Sequence, residues 1–153
     1  MKYKSWNIRK TIEPFYDSRA IRLDLLAFAE DDIVYDTEAQ KKNKGRKSTC
    51  RRSRFYQALV DVNLMKPGED DFRKLNDTYI IFICPFDLFG HKKYKYTFRM
   101  KCDEVAGLEM DDGAVRIFLN THGKKCWMQK GMRENCIQLN RFVGIWKITA
   151  NWR

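Results

Sequence analysis

The sequence predicts a mixed α/β domain in which about five strands form a sheet and one helix packs against it. Three segments support this prediction: residues 21–40 alternate between apolar and polar positions, residues 55–65 have apolar positions at helical spacing, and residues 79–84 are continuously apolar. Alternation with a period of two predicts strands, spacings of three and four predict a helix, and a short apolar run predicts a buried strand. Strands on both sides of a helix in the sequence are typical of α/β folds.

Residues 21–40 predict a β-hairpin, because two alternating runs flank a short acidic turn. Folding about Asp31 places Asp24 opposite Glu38, with Gln40 on the same face of the hairpin. Directly opposed residues of an antiparallel pair have Cβ atoms about 5 Å apart, which lets two carboxylates share one divalent cation. Without a cation the two carboxylates repel each other. The pattern also fits two acids that face solvent and serve only solubility.

Residues 55–65 predict a helix that packs one face on the sheet and ends before a Pro-Gly pair. Ser48 or Thr49 is the predicted N-terminal cap of this helix. Phe55 is predicted to be a core residue, because an aromatic residue at core spacing is usually buried. The apolar positions of the segment are Phe55, Ala58, Leu59, Val62 and Met65.

The remaining strands are predicted from segments on both sides of this region. Residues 79–84 are expected in the middle of the sheet, with both faces buried. Residues 94–100 alternate and predict a half-exposed strand with a basic polar face, and residues 115–119 predict a strand that follows a turn at 111–113. Residues 1–20 have mixed character and predict an irregular entry followed by a short strand.

The composition predicts one globular domain with a polyanionic partner. The chain has 153 residues, of which 44% are apolar, and this is enough for the core of a single domain. Lys and Arg number 30 against 20 Asp and Glu, which gives a formal charge of +10 and a pI near 9.5. A charge of this sign and size favours nucleic acid as the partner.

A run of basic residues without any acid occupies positions 41–54. Such a run is often a solvated loop. This one follows the strand that carries Glu38 directly, so it is also placed to neutralise phosphates beside the paired acids. The predicted nucleic-acid-binding residues are Lys41, Lys42, Lys44, Arg46, Lys47, Arg51, Arg52 and Arg54.

Other kinds of site and location are disfavoured by the residues present. The five cysteines include no CxxC pair, and their odd number cannot pair completely within one chain, which favours a reducing cytoplasmic location. No apolar run approaches the roughly 18 residues of a membrane span, so no membrane partner is predicted. The histidines, His91 and His122, give little support for Ser-His-Asp or zinc chemistry. No glycine-rich phosphate loop is present, so no nucleotide cofactor is predicted.

The segment Arg22-Leu23-Asp24, together with residues 35–40, resembles the RLD and YDxExQ blocks of the PD-(D/E)xK nuclease-like transposase family, also called the recombination-promoting nuclease family. Further blocks follow in the order that the family has, and the resemblance covers residues 12–123. Several blocks in the right order are far more specific than any one of them. The further blocks are residues 54–56, 64–70, 80–90, 96–98 and 118–121.

The resemblance implies a fold as well as a family. Residues 1–123 are expected to form a PD-(D/E)xK restriction-endonuclease-like core. This core is expected to be N-terminally short, because little of the helix that usually precedes the hairpin exists. Residues 124–153 are then a divergent C-terminal tail.

The resemblance also implies a metal-dependent DNA endonuclease, with DNA as the partner. Asp24 and Glu38 are expected to hold Mg²⁺ or Mn²⁺, and the backbone carbonyl of Ala39 is expected to complete the coordination. Gln40 stands where the class name has a lysine. An amide can orient a water molecule but cannot carry positive charge. The expected catalytic residues are therefore Asp24, Glu38 and Gln40.

Two other functions stay open on the sequence alone. The first is an inactive remnant that binds nucleic acid through the basic run. The second is a protein-interaction module whose basic face docks an acidic partner.

Overall fold

The computed structural model describes residues 3–8, 10–12, 21–29 and 32–122. Within these residues the chain forms eight strands, one α-helix and a short 3₁₀ turn, which confirms the predicted mixed α/β class. The predicted tail, residues 124–153, lies outside the described residues. The elements are β1 Tyr3–Ile8, β2 Thr11–Ile12, β3 Ile21–Arg22, β4 Leu25–Ala29, β5 Val34–Ala39, α1 Arg46–Leu64, the 3₁₀ turn Phe72–Lys74, β6 Thr78–Cys84, β7 Lys95–Phe98 and β8 Ala114–Asn120.

Six of the described strands form one mixed sheet in the order β1-β4-β5-β6-β8-β7. β5, β6 and β8 run parallel to one another, whereas β1, β4 and β7 pair antiparallel with their neighbours. Parallel neighbours need a crossover connection, and α1 provides it between β5 and β6. The sheet has one strand more than the five expected. The additional strand is β1, which lies where an irregular entry was predicted. The short strand expected after that entry corresponds to β2, which pairs with β3 outside this sheet.

The β4–β5 hairpin has the register that folding about Asp31 predicts. Leu25 pairs with Thr37 and Leu26 pairs with Asp36. Because side chains alternate along a strand, Asp36 and Glu38 lie on one face of β5, and Gln40, directly after the strand, continues that face. This is the face that packs against α1.

The core lies on both faces of the sheet. On the α1 face, Val34 and Phe82 pack with Tyr56 and Val60 of the helix. On the other face, Ile81 and its apolar neighbours in β6 and β8 form a second cluster. β6 is therefore buried on both sides in the middle of the sheet, as its continuous apolar run predicts.

The predicted apolar face of α1 is wrong at most of its positions, although Leu59 is buried as expected. Phe55 is 43% exposed and Val62 is 49% exposed, so neither belongs to the core. The helix instead buries a partly polar face, whose residues are Thr49, Ser53, Tyr56, Gln57, Leu59 and Val60. Burial of the hydroxyl groups is compensated locally, because Thr49 donates to the Gly45 carbonyl at 3.1 Å and Ser53 donates to the Cys50 carbonyl at 2.8 Å.

The start of α1 also differs from the prediction. The helix begins at Arg46, earlier than a cap at Ser48 or Thr49 predicts, so Arg46 and Lys47 are helical as well. Neither Ser48 nor Thr49 caps it; the residue before the helix is Gly45, with no side-chain cap. Further along, Asp61 accepts a hydrogen bond from the Thr78 hydroxyl of β6 at 3.3 Å, which fixes the C-terminal half of α1 to the sheet.

Replacing Gly113 with alanine is expected to destabilise the fold by about 2 kcal/mol. Gly113 has a φ of 70°, and an added Cβ would collide with the Asp77 carboxylate. Its carbonyl also accepts from the Thr78 amide, where β6 begins. Chemical denaturation measures the loss. Gly107→Ala is the matched control, because Gly107 has a φ of 84° with nothing within 4 Å of an added Cβ. Equal losses in the two variants would contradict the collision and leave backbone strain as the whole effect.

Candidate active site

Asp24 and Glu38 are brought together by the hairpin, each held by a backbone amide of the opposite segment. The Asp24 amide donates to Glu38 Oε1 at 2.8 Å, and the Ala39 amide donates to Asp24 Oδ2 at 3.0 Å. Asp24 is half-buried and Glu38 is buried. Hydrogen bonds from amides to carboxylates fix the direction of both groups. The pair predicted from the sequence is therefore a rigid arrangement rather than two acids free in solvent.

Arg52 reaches this pair from α1. Its Nη2 donates to Glu38 Oε2 at 2.8 Å and to the Tyr56 hydroxyl at 2.6 Å, and its Nη1 donates to Gln40 Oε1 at 3.1 Å. The guanidinium also lies 4.7 Å from the centroid of the Tyr56 ring, within the range of a cation–π contact. The sequence placed Arg52 in the basic run, and nothing in that run distinguished it from its neighbours.

Asp36 is a third carboxyl group of the site, and the sequence reasoning missed it. It is completely buried, pairs in register with Leu26 and Ile80, and neither of its oxygens has a hydrogen-bond partner among the described residues. The signal that could have found it is its position two residues before Glu38, which puts both acids on the same face of β5.

Burial dominates the electrostatics of these acids. It raises the pKa of Asp36 well above its usual value, and the negative charges of Glu38 and Asp24 raise that pKa further, while Arg52 lowers it. Burial likewise raises the pKa of Glu38 to about 7, against the hydrogen bond from the Asp24 amide and the ion pair with Arg52. Asp24, Asp36 and Glu38, here called the carboxylate cluster, thus place three acids beside one guanidinium.

The donor atoms available for a metal ion are limited to oxygen. Among residues 3–8, 10–12, 21–29 and 32–122, no three His, Cys, Asp or Glu side chains are placed to hold a metal together. The donors predicted from the sequence are Asp24, Glu38 and the Ala39 carbonyl. Mg²⁺ is usually held through one or two carboxylates together with water and substrate phosphate. The oxygen donors and the excess of acids over bases therefore fit a hard divalent cation.

The other predicted nucleic-acid-binding residues form an exposed basic surface. Its members lie in the loop before α1 and on the first three turns of the helix. At 3.6 residues per turn, Lys47, Arg51 and Arg54 fall on one side of the helix. The first turn of α1 contains no acid. The basic surface consists of Lys41, Lys42, Lys44, Arg46, Lys47, Arg51 and Arg54.

Comparisons with protein-family models, curated proteins and solved structures found no match to this chain. The resemblance to the recombination-promoting nucleases therefore rests on its sequence blocks. None of the described helices has the length and apolar character to cross a membrane.

Proposed function

We propose that the protein is a metal-dependent DNA endonuclease of the PD-(D/E)xK class that hydrolyses phosphodiester bonds. The observation that carries this proposal is the pair of amide hydrogen bonds, from Asp24 to the Glu38 carboxylate and from Ala39 to the Asp24 carboxylate, which holds the two carboxylates side by side at the end of the hairpin. Two acids that only aided solubility would not need a buried Glu38. The order of hairpin, α1 and parallel β6 is compatible with the core of this class.

The residues of the site have separable roles in this proposal. Asp24, Glu38 and the Ala39 carbonyl would hold Mg²⁺ or Mn²⁺. The chemistry that such a cation supplies is Lewis-acid polarisation of a phosphoryl oxygen. Gln40 directs its Oε1 to Arg52, and its Nε2 makes only a 3.4 Å contact with the Ala39 carbonyl, so the amide is positioned to orient an attacking water.

The basic surface supports DNA as the substrate. It continues the chain directly from Gln40, so the positive charge begins where the candidate catalytic residues end. Contacts of lysine and arginine with phosphates are independent of sequence and position the duplex without reading it. The proposal therefore assigns affinity to this surface and cleavage to the carboxylate cluster.

The salt dependence of DNA binding tests this surface. The logarithm of DNA affinity should fall linearly with the logarithm of salt, and replacing Lys44, Arg46 and Lys47 with glutamine should flatten the slope by about 0.9 for each phosphate that is no longer neutralised. Fluorescence anisotropy with a labelled duplex in CaCl₂ measures it. The control removes the same charge elsewhere, at exposed lysines Lys66, Lys93 and Lys95. An identical slope in both triple variants would show that the surface is merely solvated.

Plasmid nicking tests the enzymatic proposal as a whole. Conversion of supercoiled to open-circular DNA is expected with MgCl₂ or MnCl₂ and is expected to stop in EDTA. Binding of the duplex without cleavage in either metal would contradict the endonuclease and favour the nucleic-acid-binding remnant. The observation in favour of that second function is the ion pair with Arg52, which already occupies Glu38 Oε2. Absence of both cleavage and binding would leave the protein-interaction module.

A further inference from the structure

Position 40 carries an uncharged side chain where the PD-(D/E)xK class name has a lysine. Glutamine offers hydrogen bonds but no positive charge, and phosphodiester hydrolysis develops negative charge on the phosphoryl oxygens. In this protein a positive group nevertheless reaches the same place. The Arg52 guanidinium comes from α1 and donates to Gln40 Oε1 at 3.1 Å.

The Arg52 guanidinium is held firmly from several directions. Glu38 and the Tyr56 hydroxyl accept hydrogen bonds from Nη2, and the rings of Tyr56 and Phe82 lie 4.7 and 5.6 Å from the guanidinium carbon. A guanidinium has five N–H donors, and these contacts do not use all of them, so N–H groups remain for a ligand. The Arg52 side chain is 34% exposed, which leaves part of it open to a ligand from solvent.

The other arginines of the α1 segment do not share this position. Arg51 and Arg54 lie about 100° and 160° around the helix from Arg52, and both are exposed. Arg52 is thus set apart from its neighbours by its contacts with Glu38 and Gln40. Those contacts place its charge next to the paired carboxylates.

We infer that Arg52 supplies, from the helix, the positive charge that Gln40 cannot supply from the strand, and that it contacts the scissile phosphate as a catalytic residue. This inference rests on the proposed endonuclease function. The free N–H donors of Arg52 bind a phosphoryl oxygen, and the fixed charge favours the state in which that oxygen carries the most negative charge. Moving the positive charge from position 52 to position 40 should therefore retain part of the catalytic rate.

A charge-relocation experiment tests the inference with Arg52→Gln, Arg52→Lys, Gln40→Lys and the double variant Arg52→Gln/Gln40→Lys. Arg52→Gln is expected to lower kcat for nicking by about 10²-fold or more, with a smaller change in KM. Arg52→Lys should retain part of the rate, since an ammonium keeps the charge but cannot reach both Glu38 and Gln40 as a fork. The double variant should regain at least about tenfold over Arg52→Gln. Arg73→Gln is the control for charge loss, because Arg73 is 91% exposed.

Gln40→Lys alone should not raise kcat above the wild-type value, because its ammonium would lie beside the Arg52 guanidinium and repel it. Recovery in the double variant is the decisive result, because it restores the charge without restoring the contacts of Arg52 with Tyr56 and Phe82. Wild-type rates in Arg52→Gln, or a double variant no faster than Arg52→Gln, would overturn the inference. Arg52→Lys and the double variant keep the test valid if Arg52→Gln folds poorly.

Binding of a duplex in CaCl₂ gives a readout without cleavage. Arg52→Gln should weaken duplex binding more than Arg73→Gln does, and the double variant should recover affinity. If the wild type cleaves nothing in Mg²⁺ or Mn²⁺, the endonuclease proposal fails, and this binding series alone decides whether Arg52 contacts phosphate. Equal affinities for Arg52→Gln and Arg73→Gln would then overturn the inference as well.

Discussion

Replacing Asp24 with asparagine is expected to lower the rate of plasmid nicking by at least about 10³-fold, because a charged oxygen ligand contributes several kcal/mol through the cation. The fold should survive the change. The Ala39 amide donates to Asp24 Oδ2, and an asparagine carbonyl oxygen can accept the same hydrogen bond. Removing the charge also relieves repulsion with Glu38 and Asp36. The rate should therefore fall without loss of thermal stability.

Rates of nicking and thermal melting of the same preparation measure the two effects separately. Asp103→Asn is the matched control, since it removes one exposed carboxylate outside the carboxylate cluster and should leave both values unchanged. Glu38→Gln should repeat the Asp24→Asn result. Nicking by Asp24→Asn at the wild-type rate would exclude the proposed site, and any cleavage would then have to come from elsewhere.

The second large effect is a loss of stability as the pH rises in EDTA. Glu38 has a pKa of about 7 in the folded chain against 4.5 in its unperturbed state, and the pKa of Asp36 is raised in the same direction. Between these values the folded state binds more protons than the unfolded state, so the free energy of unfolding falls as the pH increases. The melting temperature should drop by roughly 5–10 °C from pH 4.5 to pH 7.5.

Calorimetry across this range checks the prediction in EDTA and again with MgCl₂. Asp36→Asn and Glu38→Gln should each flatten the curve and raise stability at pH 8, because an amide is not ionised on burial. Asp103→Asn should retain the wild-type slope. MgCl₂ should reduce the fall if the cation binds the ionised acids. A melting temperature that stays constant or rises between pH 5 and 7 in EDTA would show that burial does not govern these groups.

The hairpin was predictable because its register depends on local information alone. Alternation on either side of one acidic turn fixes which residues oppose each other, and Leu25 and Leu26 pair with Thr37 and Asp36 as that symmetry requires. The placement of Asp24 beside Glu38 follows from this register. The central position of β6 was equally predictable. A strand that is buried on both faces is apolar at consecutive positions, and residues 79–84 have this pattern.

The inner face of α1 was not predictable in the same way. Hydrophobic spacing pointed to Phe55, whereas the helix buries polar residues whose hydroxyl groups are satisfied by its own carbonyls. With this face of α1 buried, Arg52 lies beside the carboxylate cluster. The periodicity of one segment cannot predict such a contact between two segments. Asp36 was missed for a related reason, since an unpaired acid in a core opposes burial preferences. Departures of this kind are typical of functional sites in general, which supports the proposed site.

Two polar contacts between α1 and the sheet restrict the rotation of the helix about its own axis. Arg52 holds it to β5, and Asp61 holds it to β6 through Thr78. The attachments lie about two and a half turns apart, so they leave the helix on opposite flanks. A helix held on both flanks cannot rotate about its long axis without breaking one of these two contacts. The Cα atoms of Lys47, Arg51 and Arg54 consequently keep one orientation relative to the sheet. Under the proposed function, an approaching duplex would meet a row of charges whose spacing is set by the helix.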